Sequence, residues 1–346
     1  MRFMTSIVPV SCPKCKSKTK LYKYGNTPDG YQKYQCQSCK HQFAPAKPKS
    51  DNYATDKHPK CPRCGKSSFL HHDYEFYSNC RCGDKKCYHS FFHSKPTAIP
   101  EATMSKLFGK TDFKRMRYPA HIILNVIAMF YLGNTSFRKI AFLMKLMHNV
   151  KLSHTTVSNW CHNFAPYWQN ISLELASGLN FNSDEWHADE TVVFIKGVKH
   201  WIWFIIDSET RFVLGYHLSP NRDSSAAFIA FEAVNELGQP VALVSDRLPA
   251  YIQPVKTILG VKHIQVQDFT DDISNNLIEC FNKQFKAWYK AKNGFSSFNH
   301  ANNLIATFIF FFNFVRPHMA FNGLTPAQVA GLELDAKQKK KFRFVA

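Results

Sequence analysis

The sequence predicts a multidomain protein with two small β modules that bind metal, an all-α segment and an α/β domain. Nine of the eleven cysteines lie before residue 90, and most of them form CxxC pairs. Between residues 118 and 170, apolar residues recur at helical spacing. Beyond residue 184, runs rich in β-branched and aromatic residues alternate with helical patterns, which is typical of an α/β domain.

The charge balance indicates a polyanionic partner. The chain has 346 residues and a formal net charge of +19, from 44 basic and 25 acidic residues. This length allows two or three domains with real cores. The alternative is a charge that serves solubility alone. A basic balance spread over several segments beside cysteine pairs favours nucleic acid, and we expect double-stranded DNA.

The sequence gives no sign of export or of membrane insertion. The N-terminus lacks the long apolar core and small-residue cleavage site of a secretory signal. The apolar run Phe308–Phe312 is too short to span a bilayer, so we expect a buried helix there. We therefore expect a cytoplasmic, nucleoid-associated protein with no membrane partner.

Residues 1–48 are expected to form a zinc ribbon. Cys12 and Cys15 make one CxxC knuckle, and Cys36 and Cys39 make a second. Four thiolates in this arrangement complete a tetrahedral structural Zn²⁺ site. In an intracellular chain such clustering favours metal over disulfides, and no thioredoxin-like βαβ pattern supports a redox role.

The pattern repeats in residues 57–95, which are expected to form a second zinc ribbon. Each unit has a phenylalanine four residues after its last cysteine, which makes Cys87 the last ligand of this unit. One ligand position remains open between Cys80 and Cys82, and we favour Cys82. The predicted ligands of the second structural zinc ion are therefore Cys61, Cys64, Cys82 and Cys87. The nearby histidines are expected to be non-ligands, namely His71, His72 and His89.

Basic and proline-rich stretches connect these units. Residues 44–60 are expected to form a linker, and residues 96–117 a basic linker. The basic tail 333–346 is expected to be disordered and to seek phosphate. The basic residues of the ribbons are also expected to contact phosphate, with a protein–protein module as the alternative; they are Lys14, Lys16, Lys18, Lys20, Lys23, Lys33, Lys40, Arg63, Lys66 and Arg81.

Residues 118–170 predict a helix-turn-helix domain of three short helices. Thr135 or Ser136 can cap the second helix, and Ser153 can cap a third helix over 154–165. The last helix of such a domain enters the major groove with its N-terminal residues toward base edges. An ordinary helical spacer is the alternative. The predicted DNA-binding residues are His154, Thr155, Thr156, Ser158 and Asn159.

Residues 180–332 contain three acids at positions that suit metal binding. Asp189 lies in a strand-like run, where a buried carboxylate is costly without a partner. Asp246 ends the apolar run 241–245, which is typical of a strand buried on both faces. Glu279 lies on a segment with helical spacing. Acids from a strand, a strand end and a helix can converge on Mg²⁺, which prefers oxygen ligands.

The motifs around these acids resemble the catalytic domain of DDE transposases of bacterial and archaeal insertion sequences. The resemblance covers about residues 184–332, and its matching pieces are Trp186–Thr191, Ser245–Tyr251, Asn275–Glu279 and Asn313–His318. This family belongs to the retroviral-integrase superfamily, so the resemblance implies an RNase H-like (integrase-type) α/β fold. The helical segment before it resembles the DNA-binding region that precedes the catalytic domain in such transposases.

The resemblance implies a DNA transposase whose catalytic residues are Asp189, Asp246 and Glu279. It implies two divalent ions per active site, Mg²⁺ or Mn²⁺, which these acids bind. It also implies that the protein acts on transposon ends and target DNA. We expect a homodimer or higher oligomer, because two DNA ends must be paired. Two alternatives stay open: a DNA-binding regulator with an inactive or reused RNase H-like domain, and a plain metal-dependent DNA nuclease.

Other charged residues of this domain are given different roles. Glu190 is expected to point away from the site of Asp189, because consecutive strand residues face opposite sides. Asp207 is expected to be structural. The turn and N-cap acids are Asp268, Asp271 and Asp272. The predicted DNA contacts are Lys283 and Lys286, on the face of Glu279, and Arg316, for which packing is the alternative.

Overall fold

A computed structural model describes residues 11–26, 32–44, 58–75, 77–95, 107–266, 275–292, 294–336 and 338. By backbone contacts the chain divides into a unit of Met1–Leu70 with Cys80–Phe91 and a unit of His71–Asn79 with Phe92–Ala346. Several predictions lie outside the described residues: most of the 44–60 linker, the first part of the 96–117 linker, the end of the basic tail, and Asp268, Asp271 and Asp272.

Two three-stranded sheets occupy the cysteine-rich segment. The first has the order β1 (Leu21–Asn26), β2 (Gln32–Cys36) and β3 (Gln42–Phe43), with antiparallel pairing. The second has the order β4 (Ser68–Asp73), β5 (Tyr77–Cys82) and β6 (Ser90–Ser94). A cysteine ends the middle strand of each sheet, so each sheet delivers one thiol at the same topological position.

Four helices follow in the second unit. They are α1 (Ala120–Tyr131), α2 (Phe137–His148), α3 (His154–Asn163) and α4 (Ala165–Ala176). Ser136 caps α2 by accepting from Lys139 N, and Ser153 caps α3 by accepting from Thr156 N. Both residues satisfy a backbone donor that the first helical turn leaves free. The helix predicted over 154–165 ends at Asn163, and α4 begins two residues later.

The centre of the second unit is a mixed five-stranded sheet. Its strands are β7 (Glu185–Ile195), β8 (Val198–Asp207), β9 (Val213–Ser219), β10 (Ala242–Ser245) and β11 (Lys262–Gln265). The strand order is β11-β10-β7-β8-β9. The first three strands form an antiparallel meander, and β10 then joins β7 in parallel. This is the β-β-β-α-β order expected for an integrase-type core.

Helices on the sheet complete this unit. Between β9 and β10 lies α5 (Ser224–Glu232), and a 3₁₀ turn (Pro249–Tyr251), α6 (Ile252–Pro254) and a π-helical turn (Val255–Leu259) lead from β10 to β11. The later helices are α7 (Asn276–Lys290), α8 (Phe298–Phe314), a 3₁₀ turn (Met319–Phe321) and α9 (Pro326–Val329). Phe204 of β8 packs edge-on against Phe281 and Phe285 of α7, which fixes that helix against the sheet.

Helix α8 is the buried helix that the sequence predicts. Its buried amides are paired with backbone: Asn303 donates to Phe108 O and His162 O, and Asn313 donates to Val213 O. Within the described part of the chain, the segment Phe298–Phe321 is long and apolar enough to cross a membrane, and 61% of its tested window is buried inside the protein. The run Phe308–Phe312 is thus part of a longer apolar helix, and that helix is mostly buried, as expected.

Candidate active site and metal centres

Two of the predicted acids meet at the open edge of β7. Strand β10 pairs in parallel with β7 as far as Val244, which lies opposite His187. Asp246 follows the end of β10, beside the part of β7 that carries Asp189. One carboxylate oxygen from each of Asp189, Glu190 and Asp246 lies within 4.8 Å of the other two.

Asp189 is held by helix α7 and crowded by its acidic neighbours. Asn282 Nδ2 donates a hydrogen bond of 2.7 Å to Asp189 Oδ2. Burial, and then the charges of Glu190 and Asp246, raise the pKa of Asp189 to about 7, and the Asn282 hydrogen bond acts in the opposite direction. A divalent cation relieves this kind of repulsion between carboxylates. The donor set therefore fits a hard cation such as Mg²⁺.

Glu190 differs from the sequence expectation, because its carboxylate belongs to the acidic cluster. Asp189 takes its partner from α7, whereas Glu190 takes its partners from the other side: Tyr251 Oη donates to Glu190 Oε2 at 2.6 Å. The alternation of side chains along the strand is thus kept. Since β10 ends before this point, both carboxylates reach Asp246 around the open edge of β7.

Glu279 shares a cavity with Asp189 but does not join the acidic cluster. It lies on α7, one turn before Asn282, and both residues line a cavity of about 510 Å³ with Asp189 and Glu190. Among the described residues, the group of acids whose oxygens lie within 4.8 Å contains Asp189, Glu190 and Asp246. The structure therefore brings two of the three predicted catalytic acids together and places the third on the cavity wall.

The predicted lysines line the same cavity as Glu279. Lys283 and Lys286 follow Glu279 along one face of α7, and Lys290 continues this face. Lys283 is exposed, whereas the Lys286 ammonium donates to Val192 O of β7. Burial, with a contribution from the charge of Lys290, lowers the pKa of Lys286. The cavity thus has an acidic side on the sheet and a basic side on the helix.

Two further predicted residues lie apart from this cavity. Asp207 is fully buried at the end of β8, and its Oδ2 accepts from Thr210 N at 2.8 Å and from Thr210 Oγ1 at 2.5 Å. This contact fits the structural role expected for Asp207. Arg316 follows α8 and is half-buried, and burial lowers the pKa of its guanidinium.

Helix α3 is the helix predicted to contact base edges, and its predicted DNA-binding residues differ in exposure. His154, Thr155 and Asn159 are exposed, whereas Thr156 and Ser158 are half-buried. The Thr156 hydroxyl is hydrogen-bonded to the capping Ser153 at 2.9 Å. The three exposed residues take no part in the contact between Ser153 and Thr156. They are the accessible members of the predicted DNA-binding residues.

Four thiols converge in each cysteine cluster. In the first, Cys12 Sγ lies 3.5 Å from Cys39 Sγ, and Cys15 Sγ lies 3.5 Å from Cys36 Sγ. In the second, the corresponding pairs are Cys61 with Cys87 at 3.9 Å and Cys64 with Cys82 at 3.4 Å. Of the two candidates left open by the sequence, Cys82 joins the second cluster of described residues, and Cys80 lies outside it.

The sulfur spacing tests whether zinc fits these clusters. Four sulfurs at 2.3 Å from one tetrahedral ion lie about 3.8 Å from each other. The observed separations of 3.4 to 3.9 Å agree with that value. A disulfide needs sulfurs about 2.05 Å apart, so the spacing excludes that pairing. Each cluster can therefore hold one Zn²⁺ ion.

Three residues of the acidic site were not among the predicted ones: Asn282, Arg222 and Tyr251. The position of Asn282, three residues after Glu279, was a usable signal, because i and i+3 share a helix face. Arg222 and Tyr251 lie in separate loops around α5 and β10. Tyr251 ends the matching piece Ser245–Tyr251, but no local pattern indicates that either residue contacts Glu190.

Fold and site together define an integrase-type catalytic core with an acidic cluster at its edge, in a chain with N-terminal cysteine clusters and several helices. Residues 183–318 match the DDE domain model of the IS240 transposase type, and residues 4–40 match the model of the InsA N-terminal domain, a zinc ribbon. Residues 183–318 therefore carry a DDE domain similar to that of insertion-sequence transposases, and residues 4–40 resemble the N-terminal zinc ribbon of InsA.

Two relatives are transposases from Staphylococcus aureus. The transposase for insertion sequence-like element IS431mec is 26% identical over 186 residues, which are 53% of this chain and 80% of the relative. The transposase for insertion sequence element IS257 in transposon Tn4003 is 24% identical over 195 residues, which are 56% and 84% of the two chains.

Solved structures of integrase cores also match. The HTLV-2 integrase catalytic core domain in complex with magnesium is 19% identical with a TM-score of 0.31, and the match covers 45% of this chain and 99% of that chain. The BIV integrase catalytic core domain is 18% identical with a TM-score of 0.34, and the match covers 43% and 94%.

Proposed function

We propose that this protein binds the terminal inverted repeats of an insertion sequence, nicks the ends and transfers the 3′-hydroxyl to target DNA. The observation that carries the proposal is the meeting of Asp189 and Asp246 beside the C-terminal end of β10, with Glu279 on the wall of the cavity that Asp189 lines. Strand cleavage and strand transfer are both phosphoryl transfers, so one site can perform both.

The metal ligands of the proposed reaction are Asp189, Asp246 and Glu279. These residues would hold Mg²⁺ or Mn²⁺, which would supply activation of the attacking oxygen and stabilisation of the leaving 3′-oxygen. The chain itself supplies the orientation of the ligands. Asn282 holds Asp189 Oδ2 by a hydrogen bond of 2.7 Å, and it lies one turn from Glu279. Asn282 thereby couples the position of α7 to that of the first acid.

The lysines of α7 are proposed to hold the DNA backbone over the acids. Lys283 is exposed on the cavity wall, and Lys286 and Lys290 line the same wall. Ammonium groups contact phosphate as point charges and contribute no base specificity. Arg316 is proposed as a further backbone contact beyond α8.

Recognition of the DNA ends is assigned to the N-terminal domains. The proposed order is a zinc ribbon over 1–48, a second over 57–95, a helix-turn-helix over 118–170 and the catalytic domain over 180–332. The helix-turn-helix is proposed to read bases through α3, whose exposed residues His154, Thr155 and Asn159 can reach base edges. Thr156 and Ser158 are proposed to contribute to DNA binding through contacts closer to the DNA backbone.

Each ribbon is proposed to hold one structural zinc ion, through Cys12, Cys15, Cys36 and Cys39 or through Cys61, Cys64, Cys82 and Cys87. Ribbons of this size have too little apolar core to fold without metal. The protein is proposed to act in the cytoplasm on nucleoid DNA, as a dimer or higher oligomer, because two transposon ends must be held at once.

A strand-transfer assay tests this proposal. The full chain, loaded with zinc, is incubated with a labelled element end, a plasmid target and Mg²⁺ or Mn²⁺. We expect nicked ends and joined products, and we expect Asp189→Asn to bind the end and form neither. Asp184→Asn is the matched control, because Asp184 is an exposed acid five residues upstream that lies outside the acidic cluster.

The products separate the proposal from its alternatives. Nicks without joined products indicate a plain metal-dependent nuclease. Sequence-specific binding without nicks indicates a DNA-binding regulator. Equal activity of the wild type and Asp189→Asn would remove Asp189 from the site and overturn the assignment.

A further inference from the structure

Glu190 occupies an unusual position for an acid next to a metal-binding aspartate. Its side chain is 3% exposed, and each of its oxygens already has a partner. Oε1 accepts from Arg222 Nε at 2.6 Å and also pairs with Arg222 Nη2, and Oε2 accepts from Tyr251 Oη at 2.6 Å. A carboxylate engaged on both oxygens is poorly placed to bind a metal ion as well.

Tyr251 fixes Glu190 from the side of β10. The Tyr251 ring is fully buried and packs edge-on against Trp203, with ring centroids 5.3 Å apart, and it also contacts Phe231. Because packing sets the direction of the ring, the hydroxyl that donates to Glu190 has a fixed position. Tyr251 follows Asp246 by five residues, so this contact also links Glu190 to the segment that carries Asp246.

Arg222 connects Glu190 with Asp246. Its Nη2 lies 3.8 Å from Asp246 Oδ2 while the same guanidinium is paired with Glu190. Arg222 directly precedes Asp223, which caps α5 by accepting from Ala226 N at 3.0 Å through Oδ1. Among the described residues, the lysine and arginine ion pairs of Glu190 and Asp246 come from Arg222.

We infer that Glu190 is a positioning residue and not a metal ligand: it holds the Arg222 guanidinium beside Asp246, where that charge offsets the acidic cluster and competes with the metal ion for Asp246. The inference rests on the metal site of the proposed function. In the free protein, Arg222 offsets part of the repulsion among the three neighbouring carboxylates. When metal binds, Glu190 retains Arg222 and keeps it from closing on Asp246.

The two variants of this pair have opposite expected effects on metal affinity. Arg222→Gln removes a positive charge close to Asp246, so Mn²⁺ should bind about tenfold more tightly. Glu190→Gln removes the negative charge that retains Arg222, so the guanidinium pairs more fully with Asp246 and Mn²⁺ binds more weakly. The double variant lacks Glu190, which retains Arg222, and also Arg222, which competes for Asp246. Its affinity for Mn²⁺ should therefore be at least that of the wild type.

The experiment measures Mn²⁺ affinity by calorimetry on the zinc-loaded full chain without DNA. The proteins are the wild type, Glu190→Gln, Arg222→Gln, the double variant and Arg247→Gln. Arg247 is exposed and directly follows Asp246, but it is absent from the ion pairs of the described residues. It controls for the loss of one positive charge near the site, and its variant should change the affinity less than twofold.

Two results would overturn the inference. If the double variant binds Mn²⁺ as weakly as Glu190→Gln, Glu190 is itself a ligand. If Arg222→Gln binds Mn²⁺ no more tightly than the wild type or than Arg247→Gln, Arg222 does not compete at Asp246. Should Glu190→Gln fail to fold, the direction of the change in Mn²⁺ affinity in Arg222→Gln tests the inference. The Arg222 side chain is 43% exposed, so we expect its replacement to leave the fold intact.

Asp189→Asn separates failure of this inference from failure of the proposed function. If the wild type binds no Mn²⁺, or Asp189→Asn binds it equally well, the metal site itself is wrong. If the wild type binds Mn²⁺ and Asp189→Asn does not, the site stands, and the double variant then tests the role of Glu190 by itself.

Discussion

At the scale of single residues, Asp189 carries an electrostatic cost that has consequences for stability. Its pKa is raised to about 7 in the folded protein by burial and by the charges of Glu190 and Asp246. In the unfolded chain an aspartate titrates near pH 3.9. Between these two values the folded state holds a proton that the unfolded state has lost. The metal-free protein therefore loses stability as pH rises from about 4 to about 7.

Asp189→Asn should remove this loss. The amide is neutral at every pH, and its oxygen can still accept the hydrogen bond from Asn282. At pH 8, without added Mg²⁺ and with zinc retained, the variant should be more stable than the wild type, by on the order of 2–4 kcal/mol. Thermal denaturation followed by circular dichroism at several pH values measures the difference.

The difference should shrink as pH falls below 7 and should be small near pH 4, where Asp189 is protonated in the folded state and about half protonated in the unfolded chain. Asp184→Asn provides the control, because Asp184 is exposed and should show no such trend. A constant difference between Asp189→Asn and wild type from pH 4 to pH 8 would contradict the prediction.

Single residues also show which parts of the candidate site could be predicted from the sequence. Asp189, Asp246 and Glu279 were identified because each sits in a local motif within a strand, at a strand end or on a helix. Arg222 and Tyr251 were not, because their role depends on two loops meeting around the end of β10. The position of Glu190 was predicted from strand alternation alone, and that argument ignores the early end of the neighbouring strand.

At the scale of elements, each four-cysteine cluster combines a CxxC knuckle with the cysteine that ends the middle strand of its sheet. The knuckle is shaped by backbone hydrogen bonds: Lys16 N donates to Cys12 O at 2.8 Å, and Gly65 N donates to Cys61 O at 2.8 Å. The first ribbon was predictable because both of its cysteine pairs have the standard spacing. The second was open at one ligand, because Cys80 and Cys82 both lie on β5 and only the pairing of strands selects between them.

Cys82→Ser should remove one of the two zinc ions. Cys82 Sγ lies 3.4 Å from Cys64 Sγ, whereas Cys80 lies outside the four-thiol group of described residues. A serine hydroxyl is a poor zinc ligand beside three thiolates, so the second ribbon should lose its metal and unfold. Zinc released by denaturation, measured with a chromogenic chelator, gives the content of each protein.

Cys80→Ser is the matched control and should keep both zinc ions. Cys39→Ser should lose one zinc ion from the other ribbon, which shows that the assay resolves single sites. Full zinc content in Cys82→Ser, with loss in Cys80→Ser, would exchange the two cysteines in the ligand set.

Helices were predicted most reliably where caps and apolar spacing agree. For α3 the predicted cap Ser153 is the observed one, and for α2 the observed cap is Ser136, one of the two candidates that the sequence left open. The end of α3 was placed too late, because apolar spacing continues through Phe164 into α4 and gives no signal for the break. The start of α8 had no clear signal in the sequence, because polar residues such as Asn302 and Asn303 precede the run Phe308–Phe312, and their partners lie on distant elements.

At the scale of the whole molecule, the dominant feature is the net charge of +19. Composition alone predicted a polyanionic partner, and it could not say where the charge acts. In the described structure, one group of positively charged residues lies on the wall of a cavity. The exposed Lys283 and its neighbours Lys286 and Lys290 line the cavity that contains Asp189 and Glu279.

DNA binding should therefore depend steeply on salt. Each phosphate that the protein neutralises releases counterions, so log K falls with log salt by about 0.9 per contact. With about six or more phosphate contacts, the slope should be about −5 or steeper. Fluorescence anisotropy with a labelled element end, over a series of salt concentrations, measures the slope.

Lys283→Gln should reduce the magnitude of the slope by about one, because one contact is lost. Lys256→Gln, which removes an exposed lysine outside this cavity, should leave the slope unchanged. A slope near zero for the wild type would show that the positive charge does not face phosphate.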